Sequence, residues 1–179
     1  MMHLAALAMS STHEAAAPAS SFDLPALYDE HYRSLVKLAS FYVDDRETAE
    51  DVVQDAFLKL VSGRYSINPG GEGPYLRSAV LNGARTQLRK RKVRRAKQPE
   101  PPGLVAAAED DVVDAAERAR IVAGLRKLPS RQAAVIVLRY YLDLSEREIA
   151  ETLDIAPGSV KSHAHRGLRK LRTQLEASS

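Results

Sequence analysis

Near the chain's C-terminal end, Ser162, His165, Arg166 and Arg169 recur at a spacing that gathers them on one side of a helix, with Lys161, Lys170 and Arg172 flanking. Hydroxyl, imidazole and guanidinium groups in that pattern suit hydrogen bonds to base edges and neutralisation of phosphates. Arg166 has the geometry for a bidentate contact to guanine, worth about 1–3 kcal/mol of discrimination against other bases. Ser159, His163, Arg169 and Lys170 suit phosphate contacts that set register. A solvated amphipathic helix would carry the same charges, so the case rests on the elements that hold them.

Those elements read as two short helices and a tight turn. Ser145 followed by Glu148 forms an S-x-x-E capping box that predicts a helix start. Ile149, Ala150 and Leu153 give that helix its buried side. Asp154–Gly158 breaks the pattern, and Pro157 suits the first position of a new helix. In the new helix Val160, Ala164, Gly167, Leu168, Leu171 and Leu175 form one apolar stripe opposite the cations. Cap, turn and stripe together predict a helix-turn-helix whose second helix presents Lys161, Ser162, His165 and Arg166 in its N-terminal half. His163 and His165, two apart, point in different directions, so zinc is not expected. Upstream, a helix to about Leu128, a stop at Pro129 and a restart capped by Ser130 are expected, with Ala133, Val135, Ile136, Leu138 and Leu142 buried.

A second cationic set lies earlier. Pro74 opens a predicted helix whose Leu76, Ala79, Val80, Gly83 and Ala84 face a core, while Arg77, Asn82, Arg85 and Arg89 share the other side. It runs on into Arg89–Lys97, seven cations in nine residues. Such a run can be a solvated helix end, but its self-repulsion favours contact with a polyanion. A loop over Ser62–Gly73, containing Asn68-Pro69-Gly70-Gly71, precedes it and carries Arg64 and Tyr65. Before that loop, a first helix is expected from Leu24 to near Val43. A second starts at Asp44 and Glu47 in a capping-box-like pattern and buries Val52, Val53, Ala56, Phe57, Leu60 and Val61. Asp51, Gln54, Asp55 and Leu58 lie on or beside its other face. The carboxylates of Asp44, Asp45, Asp51 and Asp55 raise the alternative of a metal nuclease. Two of them belong to the cap, however, and no histidine or further acidic cluster completes a site, so no metal is expected.

The 179 residues suffice for one or two small domains; 45% are hydrophobic, 27% charged and only 6% aromatic. Leu/Val/Ala cores without alternating β-branched runs predict an all-α fold: two small helical domains joined by a Pro-rich linker, the C-terminal one a helix-turn-helix. The net charge is +3 with a pI near 9.2, and its clustering matters more than its total. With no cysteine there is no disulfide and no thiolate site. No apolar run approaches the roughly 20 residues that span a bilayer. No Lys or Arg precedes Leu4–Met9, so a secretory signal is not expected. Residues 1–21 are expected to be a disordered tail, 22–96 one domain, 97–111 a linker signalled by Gln98-Pro99-Glu100-Pro101-Pro102-Gly103, and 112–179 a second domain.

Two helical domains with separate basic surfaces bring a family into view. AEDVVQDAFLKL (Ala49–Leu60) resembles the polymerase-binding helix of bacterial sigma factors. GPYLRSAVLNGARTQLRKRK (Gly73–Lys92) is similar to the promoter-melting helix of their small ECF (extracytoplasmic function) group. LPSRQAAVIVLRYYLDLSEREIAETLDIAPGSVKSHAHRGLRKL (Leu128–Leu171) resembles that group's promoter-reading domain. The resemblance spans about residues 22–175 and implies a dissociable, non-enzymatic subunit that directs core RNA polymerase to promoters and helps to melt them. It implies no cofactor and no catalytic residue. It assigns Asp51, Gln54, Asp55 and Leu58 to the polymerase. It assigns Arg64, Tyr65, Tyr75, Arg77, Asn82, Arg85 and Arg89 to minus-ten DNA, partly single-stranded. Ser159, Lys161, Ser162, His163, His165, Arg166, Arg169 and Lys170 go to the minus-thirty-five element. A cytoplasmic location is expected because no secretory signal is, and an anti-sigma partner is expected by the same analogy. No ATP motif is present to drive strand opening, so binding energy must hold any extruded base, through stacking and phosphate contacts. Tyr75 stands where many members have Trp, His163 where Arg is frequent, and Ala156 where a capping Ser is common. A repressor or activator using only the C-terminal domain remains the alternative, because helix-turn-helix patterns alone are shared widely.

Overall fold

The structure, a computed structural model, describes residues 22–63, 67–97 and 115–177. All regular structure among them is α-helical: α1 (Leu24–Ser40), α2 (Arg46–Val61), α3 (Glu72–Lys97), α4 (Ala115–Lys127), α5 (Ser130–Tyr140), α6 (Glu146–Leu153) and α7 (Pro157–Glu176). The expected tail, the linker residues from Gln98 onward, and Arg64 and Tyr65 lie outside the described residues.

Local signals set most helix ends. Asp23 caps α1, its carboxylate accepting from the Ala26 N–H at 3.2 Å. At α2 the cap is Asp45 rather than Asp44: Asp45 Oδ1 accepts from the Thr48 N–H at 2.7 Å, and Thr48 Oγ1 donates to Oδ2 at 2.9 Å. Two adjacent aspartates could each cap a helix, and Asp44 is engaged elsewhere. α3 begins at Glu72, two residues before Pro74, which sits in the first turn where its missing N–H costs nothing. The preceding loop is correspondingly shorter than expected. The cap of α5 is Pro129, with no side-chain hydrogen bond, so Ser130 is the first helical residue and not the cap. α1 ends at Ser40, short of Val43.

α1, α2 and α3 pack on one another around Leu35, Leu38, Val53, Ala56, Leu60, Leu76, Val80 and Leu81. Gly83 lets α3 approach α2: a Cβ there would lie 3.0 Å from Val52 Cγ1. α3 is 26 residues long, about 39 Å at 1.5 Å per residue. Its first half supplies core residues, and its second half carries the exposed cations Arg89, Lys90, Lys92 and Arg94.

α5 is buried from Gln132 to Leu138 and is clasped by α6, α7 and α4. Val160, Ala164, Gly167 and Leu171 of α7 are buried, Gly167 against α5 and Leu171 beside Gly124 of α4, whereas Leu168, expected in the same stripe, is 39% exposed. Val61 is likewise exposed, at the end of α2. Leu142 and Leu175 are only partly buried. α7 reaches α5 closely because residue 167 has no side chain: a Cβ would stand 2.8 Å from Ile136 Cδ1 and 3.2 Å from Gln132 Cβ. Replacing Gly167 with Val should therefore overpack this contact and destabilise the protein by about 1–3 kcal/mol. Urea unfolding of the two proteins measures it; equal midpoints would show that the close approach carries no weight.

Candidate nucleic-acid and polymerase interfaces

The residues singled out from the sequence fall on three surfaces. On α2, Asp51, Gln54, Asp55 and Leu58 are all exposed, at successive spacings of three, one and three that make one face. The opposite side of the same helix holds Val52, Val53, Ala56, Phe57 and Leu60 in the core. Leu58 is 67% exposed, an apolar side chain set among carboxylates and an amide. The four aspartates considered for a metal are divided among separate jobs. Asp45 caps α2, Asp51 and Asp55 face solvent, and Asp44 pairs with Arg91 and Arg126.

On α3 the structure splits a set that the sequence put together. Asn82 and Arg89 are exposed. Tyr75 is partly buried against the core. Arg77 and Arg85 instead turn towards the C-terminal helices: Arg77 Nε donates to Thr152 Oγ1 of α6 at 3.1 Å, and Arg85 Nη2 donates to the Ser130 carbonyl of α5 at 2.8 Å. Burial holds the Arg77 pKa below the ordinary guanidinium value, against the opposing influence of Glu148, Glu151 and Glu30. The Arg85 guanidinium also lies 5.8 Å from the centre of the Tyr42 ring.

α6 and α7 form the helix-turn-helix. Ser145 Oγ accepts from the Glu148 N–H at 3.3 Å, and Glu148 Oε2 accepts from the Ser145 N–H at 2.9 Å and from its hydroxyl at 2.7 Å. This is the capping box read from the sequence. The turn closes through Asp154 at φ 49° and an Ile155 N–H bond to the Ala150 carbonyl at 3.1 Å. Aspartate is among the few non-glycine residues that adopt this conformation readily. Pro157 then occupies the first turn of α7, and Ala156 makes no side-chain cap.

Along α7, Lys161, Ser162, His165, Arg166, Arg169 and Lys170 are exposed, and Ser159 is partly so. Arg166 Nε donates to the Ser162 carbonyl at 3.1 Å, steadying the guanidinium over the helix's own surface. Lys161 Nζ is 3.7 Å from Glu146 Oε2 of α6. His163 stands apart. It is partly buried, and that burial, with Arg166 and Arg131 nearby, holds its imidazole below the usual histidine pKa and favours the neutral form.

Sequence reasoning missed the residues that tie the two halves together, above all Arg126 and Asp44. Arg126 Nη1 donates to Asp44 Oδ1 at 2.6 Å, Nε to the Phe41 carbonyl at 2.9 Å and Nη2 to the Val43 carbonyl at 2.8 Å. Partners more than eighty positions apart leave no local pattern to read.

Comparison with known proteins gives this arrangement a family. Residues 27–94 match Sigma-70 region 2 and residues 118–171 match Sigma-70, region 4. The ECF RNA polymerase sigma factor SigL of Mycobacterium tuberculosis is 31% identical over 167 residues, 90% of this chain and 93% of its own. The RNA polymerase sigma-E factor of Streptomyces avermitilis is 30% identical over 156 residues, covering 84% and 86%. Among solved structures, CnrH in complex with the cytosolic domain of CnrY superposes with a TM-score of 0.66 at 25% identity, over 87% of this chain and 89% of that one. The sigma factor RpoE, crystallised with the anti-sigma factor NepR from Bartonella quintana, shares the fold at a TM-score of 0.64, 21% identity and coverage of 88% and 99%. The chain belongs to the sigma-70 family, and within it to the ECF sigma factors. It is thus a transcription initiation factor that directs RNA polymerase to promoters, and sigma factors are regulatory subunits, not enzymes.

The capping box that starts the helix-turn-helix gives a stability prediction with a pH signature. Ser145→Ala should cost about 1 kcal/mol at neutral pH. Hydrogen bonds from Ser145 depress the Glu148 pKa, so the contribution is complete above the ordinary glutamate range and is lost as pH falls through the folded-state value. Urea titrations of both proteins near neutrality and at about pH 3 should show the difference shrinking in acid; a pH-independent difference would refute the Glu148 half of the box.

Proposed function

We propose that the three surfaces divide a sigma factor's work. Residues 22–96 act as the domain that binds core polymerase and opens the minus-ten element, residues 97–111 serve as a linker, and residues 112–179 read the minus-thirty-five element. The observation that carries the reading is the pairing of two oppositely charged, outward-facing helical surfaces on one chain. One is the Asp51, Gln54, Asp55, Leu58 face of α2, and the other is the cationic face of α7. Carboxylates around an exposed leucine suit a protein partner with a basic rim and an apolar centre, whereas they repel DNA. Leu58 would be the apolar anchor.

In the minus-ten region, Asn82 and Arg89 meet DNA first, and Tyr75, Arg77, Arg85 and the loop residues Arg64 and Tyr65 complete the grip on an opened strand. Stacking and phosphate contacts offset the cost of unpairing, which is a few kcal/mol per extruded base. In the minus-thirty-five region, Arg166 and Ser162 read base edges with His165 and Lys161, while Ser159, Arg169 and Lys170 hold phosphates. His163, partly buried and favoured neutral, orients the helix against α5 and adds a phosphate contact at its edge. The protein works in the cytoplasm with the polymerase. An anti-sigma factor is its expected regulator, in keeping with the anti-sigma factor NepR bound to the similar RpoE.

Transcription reconstituted with core enzyme tests the whole reading: promoter-specific RNA should depend on this chain. A repressor-like protein would instead bind an operator tightly alone and yield no such RNA. The surfaces separate by mutation. Asp51→Ala with Gln54→Ala should weaken capture of core polymerase, and undiminished pull-down would reject that interface. Arg166→Ala should leave core binding intact and relax minus-thirty-five preference at the guanine it reads by about 1–3 kcal/mol; unchanged preference in a competition assay would remove Arg166 from base readout.

A further inference from the structure

One edge of α7 is extended by an arginine from another helix. Arg131, in the first turn of α5, is exposed, and its Nη1 donates to the Leu153 carbonyl at the end of α6, 3.2 Å away. Its side chain thus reaches from α5 to the turn that leads into α7. The adjacent residue, Gln132, is where α5 and α7 meet: a Cβ on Gly167 would stand 3.2 Å from Gln132 Cβ. On α7, Ser159, His163, Arg166 and Lys170 follow one another at spacings of four, three and four, which makes them a single edge of the helix. Arg131 and Arg166 both act electrostatically on the His163 imidazole, so the three groups are neighbours. We propose that Arg131 is a further DNA-binding residue: with His163 and Arg166 it forms a subsite for one backbone phosphate of the minus-thirty-five duplex. The subsite rests on the assignment of α7 to that element given above.

Charge balance calls for an anion here. Other arginines of the C-terminal helices have carboxylates of their own: Arg139 with Glu146 at 3.1 Å, Arg147 with Glu151 at 2.9 Å and Arg172 with Glu176 at 2.8 Å. Among the described residues, Arg131 and Arg166 have no such partner. Each gives one N–H to a backbone carbonyl instead, Arg131 to Leu153 and Arg166 to Ser162. A guanidinium has five N–H donors, so both keep most of theirs for another acceptor. Two cations around one imidazole repel each other, and a phosphate beside them removes that repulsion. Its charge-assisted bonds are also roughly twice as strong as those to neutral acceptors.

His163 supplies the third group. Its Nδ1 is buried without a partner, and an unpaired buried acceptor is tolerated better than an unpaired buried N–H. The neutral ring therefore carries its proton on Nε2, from which it donates to a phosphate oxygen. Burial and the two guanidiniums hold the imidazole below the usual histidine pKa, which keeps it a neutral donor. The location also favours phosphate over bases. α5 packs on the apolar seam of α7, away from Ser162 and His165, so Arg131 reaches only the rim of the base-reading face. Backbone phosphates lie along such a rim, and contacts to them set register without reading sequence.

Holoenzyme assembled from core polymerase and this chain tests the subsite, on promoter DNA that the wild-type holoenzyme selects from a randomised pool. Arg131→Gln keeps an N–H for the Leu153 carbonyl and removes the charge, whereas Arg131→Lys keeps the charge. The glutamine variant should bind the selected promoter several-fold more weakly, and by the same factor on every altered minus-thirty-five sequence. Its plot of log affinity against log salt should be shallower by about 0.9, the loss of one phosphate contact. The lysine variant should keep the wild-type slope. A wild-type slope in the glutamine variant would overturn the subsite. So would a loss confined to particular minus-thirty-five sequences, which would make Arg131 a base reader. His163→Ala should weaken binding with the slope unchanged, and a shallower slope there would overturn the neutral-donor role. A wild-type holoenzyme that enriches no sequence from the pool would instead defeat the minus-thirty-five assignment itself, and the subsite with it.

Discussion

A helix proposed to grip nucleic acid must be dry on one side and cationic on the other, and the width of the dry side limits what the wet side can present. α7 meets this constraint at Gly167, where α5 comes close enough to leave no room for a side chain. A narrow seam of Val160, Ala164, Gly167 and Leu171 then suffices to anchor twenty residues. Leu168 is left partly exposed, and the rest of the circumference is free for Ser162, His165, Arg166 and Arg169. α3 solves the same problem lengthwise: Leu76, Val80, Leu81 and Ala84 bury its first half, and the cations that follow need no core of their own.

Charge follows from that geometry. Cations gathered on α3 and α7 repel one another unless something anionic is near, and the chain supplies carboxylates close by. Glu146 stands beside Lys161, Glu148 and Glu151 influence Arg77, and Asp44 receives Arg126 and Arg91. These are internal substitutes for phosphate. The exposed Lys161–Glu146 pair is individually weak and leaves the lysine available to DNA, whereas Asp44 and its arginine partners are largely buried.

What could be read from the sequence was what depends on residues within a turn of each other. The Ser145–Glu148 box, Pro157 in the first turn of α7, the two-sided division of α2 and the core side of α3 are all three- and four-residue patterns, and the structure reproduces them. The choice between Asp44 and Asp45 as cap was not local, because Arg126 from a distant helix claims Asp44 and leaves Asp45 to cap. Ser130 was misplaced for a related reason: the Pro129 backbone already has cap geometry and its carbonyl receives the Ala133 N–H. Nor could helical periodicity divide Arg77 and Arg85 from Asn82 and Arg89, since all four lie on the polar half and only the neighbouring helices distinguish them.

The Arg126 contact has a lopsided consequence for how this sequence can drift. Two of its three acceptors are backbone carbonyls, which every residue type possesses. Positions 41 and 43 can therefore change side chain through many generations without loosening that grip, while position 126 cannot accept even lysine, whose single ammonium lacks the three-way fork. Among descendants of this chain, substitutions at 126 should be accompanied by changes at 44 alone, so paired variation would reveal one third of the contact and leave the rest invisible.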